Sequence, residues 1–194
     1  MPGLRDCFYD LKGCTIFSQI DLKSGYYQIL MDKESIPLTS FVLPFGQFEF
    51  LRMPFGLSNT PGTFQRAMNL LLGNLDFVKI YLDDILIASK DLSEHKRHLK
   101  TVIEILNKHQ VSINYDKSSF LLQEVKYLGQ IINGNGIRPD TSRISKLLNY
   151  LPANTPKKCQ RVIGLLNWFR PYLPNLSQKI SEITSKMKLK SGYK

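Results

Sequence analysis

The chain has 194 residues, of which 43% are hydrophobic and 22% are charged, which is enough for one large domain or one domain with a small appendage. No apolar run approaches the roughly 20 residues that a membrane-spanning helix needs, and the first residues do not resemble a secretory signal, so the composition argues against a membrane or secreted protein. The formal net charge is +10, and residues 155–194 contribute +8 of it, which favours a polyanion partner; a solvated basic tail is the alternative.

The first predicted elements are a strand and a hairpin. Residues 15–22 form an apolar run that ends beside a carboxylate, Asp21, and they predict a buried strand. Residues 40–43 and 47–51 predict a hairpin around the turn-forming residues 44–46.

Two amphipathic helices follow. The first is predicted to begin with Thr60 as its N-cap and Pro61 at its first helical position. The second begins near Ser93, where Asp91 and Glu94 have the spacing of a capping box. Their apolar faces consist of Phe64, Met68 and Leu71 in the first helix and Leu99, Val102, Ile103 and Leu106 in the second.

Between these helices the sequence predicts a hairpin with acids at its tip. Residues 77–82 and 85–88 are apolar runs, and the pair Asp83-Asp84 separates them. Burying a carboxylate among apolar residues costs roughly several kcal/mol in desolvation free energy, unless cations or hydrogen bonds compensate. Together with Asp21, they are candidate ligands for hard divalent cations. Spacing alone leaves two alternatives open, a solvated turn at the acid pair and a strand-end cap at Asp21.

The C-terminal part predicts strands and then helices. Strand-like segments lie at 111–113 and 125–132, and the second ends in a turn at 133–136. A boundary is expected near 152–156, where Thr155 and Pro156 begin another helix that carries Val162, Leu165, Leu166 and Phe169. The order of the elements predicts an α+β fold with a mixed or antiparallel sheet packed on helices.

Several segments, in this order, resemble the reverse transcriptases of gypsy-type long-terminal-repeat retrotransposons and, more distantly, those of retroviruses. They are FSQIDLKSGYYQI at 17–29, MPFGLSNTPGTFQ at 53–65, Tyr81-Leu82-Asp83-Asp84, Tyr127-Leu128-Gly129 and GLLNWFRPYLPN at 164–175. The resemblance implies a polymerase palm followed by a small thumb with C-terminal helices. It also implies RNA-directed DNA polymerisation, in which a primer 3′-hydroxyl attacks a deoxynucleoside triphosphate and releases pyrophosphate.

The resemblance also assigns roles to residues. It implies catalysis by Asp21, Asp83 and Asp84 with two Mg²⁺ (or Mn²⁺) ions, Asp21 and Asp83 being direct ligands and the Leu22 carbonyl a further one. Nucleotide-binding residues would be Tyr26, which excludes a ribose 2′-hydroxyl, and Phe55 and Gly56. Primer- or template-binding residues would be Tyr81, Leu82, Tyr127, Leu128 and Gly129.

By this resemblance the chain divides into four parts. They are a remnant of the fingers at 1–13, a palm with the catalytic carboxylates at 14–110, the palm end with primer-grip strands at 111–152, and basic thumb- or connection-like helices at 153–194. Because only 20 residues precede Asp21, most of the fingers is expected to be missing, and the chain is expected to be a piece of a longer polymerase.

The expected partners are an RNA or DNA template with its primer and deoxynucleoside triphosphates, with no membrane. The expected location is a cytoplasmic particle with access to the nucleus.

Two other functions stay open: an inactive nucleic-acid-binding remnant, and an RNA-copying RNA polymerase, which Tyr26 disfavours. His95 and His98 lack a third ligand nearby and are expected to be solvated.

Overall fold

The structure, a computed structural model, describes residues 11, 13–148 and 155–191. The chain divides into two compact units between Ile137 and Arg138. No helix within the described ranges is long and apolar enough to cross a membrane. The predicted fingers remnant at 1–13 and the predicted boundary near 152–156 lie largely outside the described residues, and the four-part division stays a prediction.

The first unit is built on a four-stranded antiparallel sheet. Its strands are β1 (Ile16–Leu22), β4 (Val78–Tyr81), β5 (Asp84–Ser89) and β6 (Ile113–Leu122), and their order across the sheet is β4-β5-β1-β6. A separate hairpin pairs β2 (Phe41–Leu43) with β3 (Gly46–Phe48), at the predicted place but with shorter strands. The sheet order puts β1, which carries Asp21, beside the strand that begins with Asp84.

Two helices cover one face of this sheet, α1 (Thr60–Leu72) and α2 (Leu92–Lys108). Both bury the apolar faces that the periodicity predicts, against Ile20, Ile85 and Ile87 of the central strands. Half of the predicted capping box is present, since Glu94 N–H donates to the Asp91 side chain over 2.9 Å, while the Glu94 carboxylate accepts from Lys90 N–H, one residue before the N-cap, over 2.8 Å. The α+β fold of antiparallel sheet and helices is therefore confirmed.

The predicted N-cap at Thr60 is wrong by one position. The helix α1 begins at Thr60 itself, and Asn59 occupies the N-cap position without a capping hydrogen bond from its side chain. The hydroxyl of Thr60 is buried and donates to the Pro54 carbonyl over 3.1 Å. It therefore ties the helix to the preceding loop and does not cap the first turn.

The segment predicted as one strand at 125–132 forms a hairpin. Its strands are β7 (Glu124–Tyr127) and β8 (Gln130–Asn133), followed by β9 (Gly136–Pro139) in a three-stranded sheet. Leu128 and Gly129 make the turn with φ values of 50° and 79°. The continuous apolar run hides this turn, because Gly129 is the one residue in it with a clear preference for positive φ.

The expectation that His95 and His98 are solvated is wrong for His95, whereas His98 is half-buried. His95 on α2 is fully buried and is hydrogen-bonded to Ser18 of β1 over 2.7 Å and to Ser89 of β5 over 2.8 Å. His98 is hydrogen-bonded to Ser89 and stacks on Phe77 at 3.5 Å. Burial, then His98, lower the pKa of His95, while Glu94 opposes them, so the neutral ring joins the helix to two strands.

The described part of the second unit begins with the last two residues of β9 and is otherwise helical. Its helices are α3 (Ser142–Leu148), α4 (Pro156–Trp168) and α5 (Leu176–Ser191), with a short 3₁₀ turn at Arg170–Tyr172. Thr155 caps α4 as predicted, accepting a hydrogen bond from Lys158 N–H over 3.3 Å. Val162, Phe169 and Leu176 are its buried apolar residues within the described range.

Candidate active site

The strand register brings the three predicted acids to one end of the central sheet. Asp21 of β1 is the direct antiparallel partner of Asp84 of β5. Asp84 is also the partner of Tyr81 of β4, and Asp83 lies in the turn between these two strands. Side chains of directly opposed residues lie about 5 Å apart at their Cβ atoms. Asp21 and Asp84, which are 63 positions apart in the sequence, are therefore neighbours in the sheet.

Hydrogen bonds from neighbouring side chains hold two of these residues in place. Gln19, two positions before Asp21 on β1, donates its amide to Asp84 over 2.9 Å. The Asp21 backbone N–H donates to the Ser118 hydroxyl over 3.0 Å. Ser118 ends a bulge of β6, whose residues 115–118 have no partner between the pairs Asp21–Asn114 and Gln19–Ser119. The bulge thus supplies a side-chain acceptor where the strand ladder is interrupted.

Asp83 is in a less favourable environment than the other two acids. Its Oδ1 atom is buried and has no hydrogen-bond partner. Burial, then the neighbouring Asp84 and Asp21, raise the pKa of Asp83 above its usual value. A desolvated carboxylate that two other acids repel is stabilised by a bound cation more than by any neighbour it has here.

We tested whether these residues fit a divalent metal. Among the described residues, no three His, Cys, Asp or Glu side chains are already gathered as a metal-binding group. The chemistry of the donor set nevertheless fits, because the acids offer hard oxygen ligands and Asp83 keeps an unsatisfied one. Each of the neighbouring acids disfavours the ionised form of Asp83, and a bound cation would offset that repulsion.

On one side of the acids lies a group of aromatic rings. Tyr26 is only 8% exposed, and its ring is 4.8 Å from Phe55 and 5.1 Å from Phe64. Burial, then the charge of Asp83, raise the pKa of Tyr26, so the phenol stays protonated. Phe55 is 59% exposed, and Gly56 beside it has a φ of 96° and open space around it. The three predicted nucleotide-side residues are therefore adjacent to Asp83 or to one another.

Three of the five predicted primer-side residues lie in or against a second hydrophobic cluster, on the face of the sheet opposite α1 and α2. Tyr127 is fully buried there with Phe17 and Leu86, and Tyr81 and Leu128 pack against the same cluster. The Tyr127 side chain is therefore part of the core, whereas Leu128 and Gly129 form the turn of this hairpin. Leu82, in the turn before Asp83, has a φ of 53°. The side chain of Leu22 is likewise buried in the core.

Sequence reasoning missed the residues that support the acids. A Cβ atom added at Gly25 would lie 2.9 Å from the Phe64 ring and 3.5 Å from Asp83 Oδ1, so only glycine fits there. Gln19 and Ser118 bond to the acid-bearing segments. A signal was available at Gly25, since a glycine between Asp21 and the two tyrosines at 26 and 27 indicates a close approach of the backbone. Ser118 gives no local signal, because its partner is 97 positions away in the sequence.

Comparison with known proteins identifies the family. The model of the family "Reverse transcriptase (RNA-dependent DNA polymerase)" matches residues 1–132. The chain belongs to this family. Its members use divalent metal ions, which agrees with the acid cluster at the end of the sheet.

Curated relatives and solved structures agree with this assignment. The Pol polyprotein of transposon 297 from Drosophila melanogaster is 36% identical over 97% of this chain, and the Tf2-3 polyprotein from Schizosaccharomyces pombe is 34% identical over 97%. The chain spans 18% and 14% of those polyproteins. Two solved structures of the foamy viral protease-reverse transcriptase are each 29% identical to this chain. The complex with double-stranded DNA has a TM-score of 0.88 and covers 95% of this chain and 33% of the solved chain. The complex with an RNA/DNA hybrid has a TM-score of 0.84 and covers 96% of this chain and 26% of the solved chain.

Proposed function

We propose that the chain is the palm and thumb of an RNA-directed DNA polymerase from a gypsy-type long-terminal-repeat retrotransposon. The observation that carries this proposal is the register that sets Asp21 opposite Asp84, with Asp83 and its unsatisfied oxygen on the adjoining turn. The reaction joins the primer 3′-oxygen to the α-phosphorus of a deoxynucleoside triphosphate. The bond to pyrophosphate breaks in the same step.

The acids would hold the metal ions of this reaction. Asp21 and Asp83 would supply carboxylate oxygens, the Leu22 carbonyl would add one, and Asp84 would complete the negative charge of the cluster. Two Mg²⁺ (or Mn²⁺) ions bound there supply the charge that activates the primer hydroxyl and stabilises the leaving pyrophosphate. Gln19, which donates to Asp84, would keep that carboxylate oriented along the sheet.

The aromatic side would bind and select the nucleotide. The Tyr26 ring packs against Phe55 and Phe64, and these contacts would oppose its movement away from an extra oxygen on the sugar. One steric clash at this point is enough to reject ribonucleotides. The exposed Phe55 ring and the open backbone at Gly56 would lie against the incoming nucleotide.

The opposite face would position the primer. The turn at Leu128 and Gly129 packs on the same cluster as Tyr81, which directly precedes Leu82 and the acids. A rigid primer terminus matters, because small displacements of a reacting group reduce the rate strongly. On α4, Lys157 and Lys158 are exposed in the first turn, where the helix dipole disfavours cations, and phosphates of a template–primer duplex would offset that cost.

Primer extension tests the proposal. The 194-residue chain, and a longer polyprotein segment that includes the fingers, would be given a primed RNA template, deoxynucleotides and Mg²⁺. We expect extension that Asp21→Asn and Asp83→Asn each abolish, while Glu104→Gln, an exposed acid on α2, leaves it unchanged. Template binding without extension in both proteins would instead favour the inactive remnant.

The same proposal places the protein in a cytoplasmic particle with access to the nucleus, which fractionation of expressing cells would check.

A further inference from the structure

The helix α1 buries one polar side chain against the hairpin that carries the acids. Gln65 is 5% exposed and lies next to Phe64, on the face that packs against the sheet. Burying an amide costs free energy unless its donors and acceptor are all satisfied. At Gln65 they are: the amide nitrogen donates to Asn69 Oδ1 over 3.0 Å and to the Ile80 carbonyl over 3.1 Å. The amide oxygen accepts from Leu82 N–H over 2.7 Å.

The chemistry of the partners fixes the orientation of this amide. A backbone carbonyl accepts only and a backbone N–H donates only, so a flipped Gln65 would lose both bonds to the hairpin. The two bonds reach the backbone on either side of Tyr81. They therefore hold the last residue pair of β4 and the first residue of the turn at a fixed distance from α1.

The peptide that Gln65 holds is strained and leads directly into Asp83. Leu82 has a φ of 53°, a left-handed conformation that is unfavourable for a residue with a side chain. The next residue is Asp83, whose charged form is disfavoured because burial and the neighbouring acids raise its pKa. Without an external constraint, the turn can relax by rotating the Leu82 peptide, which would move the Asp83 carboxylate away from Asp21.

We propose that Gln65 is a positioning residue, which fixes the Leu82 peptide and so presents the Asp83 carboxylate to the metal ions. It acts through the backbone and does not touch substrate. This inference rests on the proposed function, because it needs the acids to be metal ligands. Side chains that orient metal ligands in this indirect way typically contribute ten- to a hundredfold, roughly, to metal affinity.

The test compares Gln65→Met, which keeps the shape but loses the hydrogen bonds, with Asn69→Ala, which keeps both bonds to the hairpin. Gln65→Asn, one methylene too short to span both sites, serves as a second variant should Gln65→Met unfold. Hydrogen exchange of the Leu82 amide reports on the bond itself. We expect exchange about two- to tenfold faster in both Gln65 variants and unchanged in Asn69→Ala.

The effect on metal binding is measured by titrating the whole chain with Mn²⁺ and monitoring the binding by electron paramagnetic resonance. We expect affinity to fall about ten- to a hundredfold in the Gln65 variants and to be lost in Asp83→Asn, while Asn69→Ala matches the native chain. Equal Mn²⁺ affinity in Gln65→Met and the native chain would overturn the role of Gln65 and leave the proposed function intact. No saturable binding by the native chain would overturn the proposed function and, with it, this inference.

Discussion

Asp83 is predicted to reduce the stability of the fold that presents it. The substitution Asp83→Asn removes a charge whose pKa is raised by burial and by two neighbouring acids, and keeps nearly the same shape. Because Asn keeps a polar atom at the position of the buried Oδ1, the gain in stability comes from removing the charge, and a charged group costs more than a neutral one when it is buried without a partner. Asp83 is only partly buried, so we expect a gain of about 1–2 kcal/mol. For a chain of this length that corresponds to a rise in Tm of about 2–8 °C.

The sign of the pH dependence makes this prediction specific. A carboxyl whose folded-state pKa is raised contributes most to stability below its unfolded pKa, and that contribution is lost as the pH rises through the folded value. The advantage of Asp83→Asn should therefore grow from pH 4 to pH 7. Calorimetry at several pH values, following the transition of the first unit, measures it, with Glu104→Gln as the control. A variant no more stable than the native chain at pH 7 would refute the reasoning.

Three further predictions concern other sites. Gly25→Ala should destabilise the first unit by about 1–3 kcal/mol, since the added methyl would overlap the Phe64 ring, and urea unfolding would measure the loss. In primer extension, Tyr26→Ala should incorporate ribonucleotides nearly as fast as the native chain incorporates deoxynucleotides. If the variant still rejects ribonucleotides, another residue excludes the 2′-hydroxyl. His95, whose pKa is lowered, should make stability fall as the pH drops below about 6.5, and His95→Gln should flatten that part of the stability profile.

Local patterns in the sequence predicted most of the elements that build the site. The apolar runs around Asp21 and around Asp83-Asp84 correctly predicted β1 and the hairpin of β4 and β5, and the acids in them were expected to meet as metal ligands. The pairing of β1 with β5, which brings the acids together, was not predicted. The caps at Asp91 and Thr155 were found because both ends of each interaction lie within four residues.

Interactions between distant segments could not be predicted in this way. His95 was expected in solvent because its partners, Ser18 and Ser89, lie on other elements and are not visible in a helical pattern. The bulge of β6 that brings Ser118 to Asp21 depends on tertiary pairing. Gln65 gave a weak signal, a polar residue on an apolar helix face, but its function is apparent only with the strained Leu82 beside it.

The most direct test of the central claim is the location of Mn²⁺ by anomalous diffraction, in crystals of the chain with a template–primer and a deoxynucleotide. We expect two anomalous peaks about 4 Å apart, with oxygens of Asp21 and Asp83 as shared ligands and Asp84 alongside. Strong density for the nucleic acid with Mn²⁺ bound elsewhere, or with none near these three residues, would contradict it.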